Sequence, residues 1–472
     1  LKTEEENREQ KICFYEETNF KNTELGEIPK DWEVVKLCGL IVDEMNGDWG
    51  KGVKENPDFT ECFVLRGTDF QKVANGDFEE VPIRFLKGSS LIKRRLQDGD
   101  VLVELSGGGE KQPTGRVLLA RRNWLEKVHL PVVFSNFVKR IRISDSVCFS
   151  EYFYLYWKLL YQNKKTSLYE RRTTGIRNFK YKDFVQNESI PLPPVEEQKA
   201  IAYVLSAVQE AREKTEKVIE AAKELKKSLM KHLFTYGPVS LEEASRINLK
   251  ETEIGEIPAD WEVVKLKDMA SVVRGISWNR QEESRNGFGV PVLSIPNIKW
   301  GQVSFDFQHF LKGSIPPSKI IQKHDIIFVT SSGSLKNIGR NCLVTELPGN
   351  IPIAFASFLA VLRLKKNVNV QPDFLYYLIN SHYVDFSKYT KRASDGKNNF
   401  QMKEFEEKVV LPLPPLPVQK RIAEILQTVD EKIQAEEKKK QALDNLFNSM
   451  LHMLMSGKLR VKFQTPEEGT SG

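Results

Sequence analysis

The sequence predicts an α+β protein built as a tandem repeat. Two similar mixed α/β domains are separated and linked by two long antiparallel coiled-coil helices with pseudo-two-fold symmetry. Two observations carry this expectation. Pro191–Phe234 and Pro412–Leu454 each open on a Pro-Leu-Pro-Pro joint, and each then continues for about ten helical turns. Asn22–Leu37 (NTELGEIPKDWEVVKL) returns as Glu251–Leu266 (ETEIGEIPADWEVVKL), a match too long to arise by chance.

Taken in order, the chain divides into an N-terminal tail (1–20), a first domain (21–190) and a proximal long helix (191–236). A linker (237–249), opened by Gly237-Pro238, leads to the second domain (250–411), the distal long helix (412–456) and a C-terminal tail (457–472). The tail is expected to be frayed after Gly457 and disordered from Pro466. Both domains mix short β-branched strands with helices, expected at Glu151–Asn163 and Pro372–Ser387. Weaker echoes keep the same order: Val64–Phe70 with Val292–Ile298, and Asp100–Val103 with Asp325–Phe328. The latter pair are strands running into small-residue loops, Ser106–Gly109 and Ser331–Ser334, each followed by Gly-Arg (Gly115-Arg116, Gly339-Arg340). Thr173–Phe179 then answers Ser394–Phe400.

The long helices show steps of three and four, the signature of a coiled-coil seam. On the proximal helix it reads Ile201, Val204, Val208, Ala211, Thr215, Val218, Ala222, Leu225, Leu229. On the distal helix it reads Ile422, Leu426, Val429, Ile433, then Leu443, Phe447, Met450, Leu454, with a polar middle at Glu436 and Lys440. About forty helical residues span about 60 Å, against about 34–36 Å for one turn of duplex DNA.

A chain of 472 residues exceeds one ordinary core. A net charge of +6 permits nucleic acid as a partner without demanding it. The five cysteines are scattered and never in CxxC spacing, which argues against a disulfide framework or zinc site and fits a reducing cytoplasm. No apolar run is long enough to span a membrane, and the charged first twenty residues do not read as a signal peptide.

No catalytic constellation is legible. Asn56-Pro57-Asp58-Phe59 resembles the loop with which amino-methyltransferases hold a flipped base, but lacks the second proline and an upstream cofactor loop, which Asn286–Val290 does not complete. Gly107–Arg116 lacks the Gly-Lys-Ser/Thr of a phosphate-binding loop. No two of the six histidines stand at helical ligand spacing. Pro372-Asp373 reads as a helix start and Glu406–Lys408 as a solvated charge run. The chain reads as a binder with no cofactor or metal of its own.

Its candidate DNA contacts are loop residues. Arg171, Arg172, Thr173, Thr174, Arg177 and Asn178 surround one glycine; Arg392, Ser394, Lys397, Asn398 and Asn399 surround another. Arg and Lys neutralise phosphate, Gly admits close backbone approach, and Asn and Arg read purine edges. The small-residue loops add Ser106, Lys111, Gln112 and Arg116 in the first copy and Ser331, Ser332, Lys336, Asn337 and Arg340 in the second. Residues shared by the copies should serve the fold: Gly26, Trp32 and Leu37 with Gly255, Trp261 and Leu266. Residues that differ at matching positions should carry what differs between targets. Examples are Arg66 against Ser294, Asp69 against Asn297, and Asn46–Asp48 against Gly275–Ser277. If each half reads its own short sequence, the target is bipartite and non-palindromic.

The repeated Gly-Glu-Ile-Pro-x-Asp-Trp-Glu, the Gly-x-x-Asn-Phe loops and the Pro-Leu-Pro-Pro-x-x-x-Gln joints (Gln198, Gln419) together resemble the specificity subunits of type I restriction–modification systems. The resemblance covers nearly the whole chain, in the family's order. It implies two target recognition domains on an antiparallel helical spacer. Two modification subunits dock there, bringing S-adenosylmethionine and the adenine-methylating site. Restriction subunits, with ATP and Mg, join that core. By the same resemblance this chain would supply the address and no catalysis. Leu416-Pro417-Val418-Gln419 departs from the family, which has Glu before Gln as in Glu197-Gln198. Exposed helix residues such as Glu210, Lys214, Lys217 and Glu220 are candidates for partner contacts or plain solvation. Two rival readings remain. One is the recognition part of a fused methyltransferase–specificity enzyme, marked by a catalytic domain ahead of Leu1. The other is a coiled-coil scaffold for proteins, marked by salt-insensitive binding.

Overall fold

The structure, a computed structural model, describes residues 11–464 apart from 108–111, 174–175, 285–286 and 395. The chain forms two compact units, Leu1–Lys217 with Glu437–Gly472, and Val218–Glu436. Each unit takes part of both long helices, Val195–Tyr236 and Leu416–Met455.

Both units follow one plan. In the first, an antiparallel core sheet has the order Val117–Leu119, Val101–Glu104, Val138–Ile143, Ile41–Asn46. Strand residues alternate between faces, and here both faces are covered. Val101 and Val103 join the cluster containing Tyr152, Phe153 and Trp157 of the helix Ser150–Gln162. Leu102, between them, joins Phe63, Leu65 and Phe134 of a second sheet. That sheet sets Val132–Phe134 parallel to Phe59–Leu65, which pairs antiparallel with Ile83–Lys87. The second unit repeats this. Its core order is Ala270–Arg274, Leu359–Leu364, Ile326–Val329, Asn341–Leu343, and Ala354–Phe355 lies parallel to Val290–Leu293. The fold is therefore α+β and duplicated.

Each joint is clamped by its glutamine. Gln198 Oε1 accepts the Phe149 N–H (2.8 Å), and its Nε2 donates to the Pro193 and Val147 carbonyls (2.8 and 3.0 Å). Gln419 does the same with the Gln371 N–H (2.9 Å) and the Pro414 and Asn369 carbonyls (2.8 and 3.0 Å). Phe149 and Gln371 are the N-caps of the domain helices, so one side chain fixes a long helix to a globular one. Each long helix ends on a glycine with positive φ, Gly237 (86°) and Gly457 (69°), as a left-handed cap requires. A Cβ at Gly457 would fall 2.4 Å from the Pro29 ring.

Three expectations are corrected. The tail after Gly457 is not frayed: Leu459–Phe463 pairs antiparallel with Ile12–Glu16, within the segment expected to be an N-terminal tail. Arg460 anchors it, donating to Glu197 (2.6 and 2.7 Å), Asp31 (2.7 and 3.0 Å) and Glu17, while Val461 is buried in the first core. The strand is too short to advertise itself, and its partner lies at the far end of the sequence. Pro466–Gly472 lies outside the described residues.

The helix from Pro372 stops at Ile379 rather than Ser387. Asn380 turns out of it and exchanges carboxamide hydrogen bonds with Asn341 at 2.9 and 3.0 Å.

The proximal seam differs from expectation at alternate positions. Ile201 and Val204 are buried and Val208 and Leu229 half-buried, but Val218 and Leu225 are 43% and 54% exposed. Thr215 is buried and Ala222 half-buried as expected, while buried Ile219 and half-buried Lys226 stand in place of Val218 and Leu225. The buried row keeps the 3.5-residue repeat through Ile201, Leu205, Val208, Arg212, Thr215, Ile219, Ala222, Lys226 and Leu229, so it departs from the expected seam only at alternate positions. On the distal helix Ile422, Leu426, Ile433, Phe447 and Leu454 are buried, with Val429, Leu443 and Met450 half-buried.

Ion pairs between the helices show antiparallel order in the first unit. In the first, Arg212 meets Asp444 (3.2 Å) and Glu216 meets Lys440 (2.6 Å). In the second, Lys226 meets Asp430 (2.6 Å).

Candidate nucleic-acid interface

In each unit the two loop segments singled out in the sequence meet in one small sheet. Glu170–Thr173, Ile176–Phe179 and Ser106–Gly107 form it in the first unit. Thr390–Arg392, Asn398–Phe400 and Ser331–Ser332 form it in the second. Register sets three residues side by side in each: Arg171, Asn178, Ser106, and correspondingly Lys391, Asn399, Ser331. Directly opposed residues of neighbouring strands project from the same face. Each unit thus presents a row of cation, carboxamide and hydroxyl. Ser106 Oγ donates to Asn178 Oδ1 at 2.8 Å, and Lys391 is steadied by Glu404 at 3.0 Å. Hydrogen bonds from Lys408, first, and from Lys391 hold the Glu404 carboxyl below the usual carboxylate range. The adjoining register position sets Arg172 opposite Arg177, and Arg392 opposite Asn398.

Several nominated residues are occupied within the protein. Asp69 and Asn297 are 5% and 3% exposed, and each caps a short 3-10 turn. Asp69 accepts from the Arg66 backbone at 2.8 Å and binds its guanidinium at 2.7 Å. Asn297 accepts from the Ser294 backbone at 2.9 Å and donates to the Ser304 and Asp306 carbonyls. Both are withdrawn as base readers, and Arg66 faces Asp69 rather than solvent alone. Arg116 neutralises buried Glu104 (2.9 Å). Arg177 pairs across its hairpin with Glu170 (3.0 Å), which also accepts the Thr114 N–H (2.6 Å). Asn337 and the Ser334 N–H both donate to buried Ser332 Oγ, at 3.0 and 3.2 Å, stapling that loop. Arg340 donates to the Ile295 carbonyl (2.9 Å), and burial lowers its pKa.

Gln112, Arg171, Lys336, Arg392, Ser394 and Lys397 are exposed, and Asn178, Asn398 and Asn399 half-exposed. Lys111 and Thr174 lie outside the described residues, and Arg172 and Thr173 are placed by their strand alone. Sequence reasoning passed over Lys180, Lys182 and Gln401, which follow the hairpins by one to three residues. Aligning the repeat past Phe179 and Phe400 sets Lys180 against Gln401, which differ, and Lys182 against Lys403, which do not.

Asn56 Oδ1 accepts the Asp58 N–H at 3.0 Å, so the Asn-Pro-Asp-Phe segment is a turn leading into a strand. Burial pushes the thiols of Cys62, Cys148 and Cys342 up to about 12, which leaves them protonated and inert. No helix of the described residues is long and apolar enough to cross a membrane, and among them no cluster of His, Cys, Asp and Glu suits a metal.

The chain matches the family model of the type I restriction modification DNA specificity domain over residues 92–224 and 258–445. It is 27% identical over 466 residues to the type I restriction enzyme MjaVIII specificity subunit of Methanocaldococcus jannaschii, covering 95% of this chain and 98% of that one. It is 28% identical over 463 residues to the putative MjaX specificity subunit of the same organism, covering 96% and 99%. Among solved structures, the S subunit of a type I restriction-modification system from M. genitalium shares the fold. Its TM-score is 0.57 at 17% identity, over 90% of this chain and 96% of that one.

Proposed function

The chain belongs to the type I restriction–modification DNA specificity family, and from that premise we propose that it binds a bipartite, asymmetric DNA target and directs a type I adenine-N6 methyltransferase/restriction complex to it. As a specificity subunit it is the non-catalytic component. The observation that carries the proposal is the row of cation, carboxamide and hydroxyl built at the same register in both units. Cations set the register on phosphates, while carboxamides and hydroxyls select base edges. The rows differ where they should if the half-sites differ: Arg171 against Lys391, and Arg177 against Asn398 on the adjoining strand position. The partners are two modification subunits, which bring S-adenosylmethionine, and restriction subunits, which bring ATP and Mg. The long helices hold the half-sites apart and offer their solvent faces to those subunits. We assign residues 21–190 and 250–411 as the target recognition domains and 191–236 and 412–456 as the spacer helices.

The test is methylation mapping. The chain is co-expressed with its modification subunit in a methylation-free host, and N6-methyladenine is located by sequencing. A single split, asymmetric motif that vanishes when this chain is omitted is the expected result. An assembled complex that methylates nothing new would overturn the proposal.

A further inference from the structure

Beside each row lies a cleft, and the two clefts sit at corresponding places in their units. Register establishes the correspondence. Asn46 stands opposite Lys139 as Arg274 stands opposite Ala360, so Asn46 corresponds to Arg274 and not to Gly275 as the sequences suggest, because the register skips Val42. The Phe179 N–H donates to Leu105 as the Phe400 N–H donates to Thr330, both at 2.8 Å. The first cleft, about 480 Å³, is walled by Arg171, Lys180 and Lys182, all exposed, with Asp183 the one carboxylate of its lining. The three cations carry no ion pair among the described residues. Lys139 at its back is committed to Glu44 at 3.2 Å. The second cleft, about 310 Å³, is lined by Arg274, Ser331, Ser357, Asn399 and Gln401, with no carboxylate.

The two units share a backbone plan, so a difference at a corresponding position bears on the ligand where the side chain has no structural task of its own. Lys180 answers Gln401 and Asn46 answers Arg274, whereas Lys139 is held by Glu44 and Lys182 keeps a cationic counterpart in Lys403. The divergence therefore answers to the ligand. We propose that the clefts divide the work of recognition: the first grips a DNA phosphodiester through Arg171, Lys180 and Lys182, and the second reads the edge of one base through Asn399 and Gln401. Three exposed cations around an open cleft suit a diffuse anion, whose counterions are released on binding. A carboxamide offers a donor and an acceptor side by side, the pattern complementary to adenine N7 and N6 in the major groove. Arg274 on the rim holds the neighbouring phosphate. The inference rests on the specificity role proposed above and adds the ligand chemistry of each half.

The experiment uses the assembled methyltransferase complex and a duplex carrying the motif mapped by methylation sequencing, with affinity measured across a salt series. For Lys180→Gln with Lys182→Gln, the slope of log K against log salt should become shallower by about 0.9 for each phosphate no longer neutralised, with the methylated motif unchanged. For Gln401→Ala the slope should hold, while discrimination at one base pair of one half-site falls about tenfold. An unchanged slope in the lysine variant, or an unchanged motif in the glutamine variant, overturns the inference. If Gln401→Ala fails to assemble, Asn399→Asp applies the same motif test, and an unchanged motif again counts against it. A wild-type complex that binds no duplex overturns the specificity role and this inference together. Variants that behave like a binding wild type overturn the inference alone.

Discussion

Asp69 and Asn297 do one task with two chemistries. Each accepts the N–H three residues back and closes a 3-10 turn at the end of a buried strand. Asp69→Asn should therefore be tolerated. Asp69→Ala, which removes the cap, should cost about 0.5–2 kcal/mol, read as a lowered urea midpoint. Neither should change the methylated motif, and a changed motif would return Asp69 to the DNA-contacting set. Comparing the two copies misleads here for a physical reason. A capping position accepts Asp or Asn alike, so divergence within a repeat marks function only where the side chain is free. The same caution explains the unusual joint at Val418. In the first unit Glu197 pairs with Arg460 and with Trp32 Nε1 (3.3 Å). Three residues past the helix-ending glycine of the other helix the counterpart of Arg460 is Ser240, which caps the turn Leu241–Ala244. Without that arginine a half-buried carboxylate at 418 would lack the partner Glu197 has, and valine stands there, packed against the second core.

At the scale of elements, periodicity gave the long helices and their partners, and composition alone could not give the phase of the seam. Val218 and Ile219 are neighbours with opposite environments. Ile219→Asp should destabilise the protein on the order of 3 kcal/mol, whereas Val218→Asp should stay within about 0.5 kcal/mol, as thermal melting would show. The small sheets were legible only as loops. Strands of two to four residues carry too little alternation to be recognised, yet their pairing brings two distant loop segments together. The terminal ladder was missed because nothing local marks it. Its ion pairs make it sensitive to acid. A hydrogen bond from Arg460 holds the Asp31 carboxyl below its usual value of 3.8. A group whose folded pKa is depressed stabilises the fold above its unfolded pKa, and that contribution is lost as pH falls through the folded value. Amide exchange in Ile12–Glu16 and Leu459–Phe463 should accordingly quicken below about pH 4, before exchange in the core strands does. Arg460→Met should remove that acid dependence, and a ladder equally protected at pH 3 and pH 6 would contradict it.

At the scale of the molecule, the duplication was legible from end to end, because the shared Gly-Glu-Ile-Pro-x-Asp-Trp-Glu segment carries the buried tryptophan that anchors each unit. What the repeat did not reveal is that the two units are threaded differently. The second is one continuous stretch, Val218–Glu436, while the first is closed by Glu437–Gly472 after the whole of the second intervenes. On a ribosome this reverses the usual order of events. The half that emerges first waits, lacking Arg460 and the strand that covers Ile12–Glu16, while its successor is synthesised and can complete itself. Nascent chains arrested with residues up to about 436 exposed should resist pulse proteolysis across the second unit and be cut in the first. Protection of the first should appear only once Leu459–Phe463 has cleared the exit tunnel. The first unit is thus completed only by residues synthesised after the whole of the second.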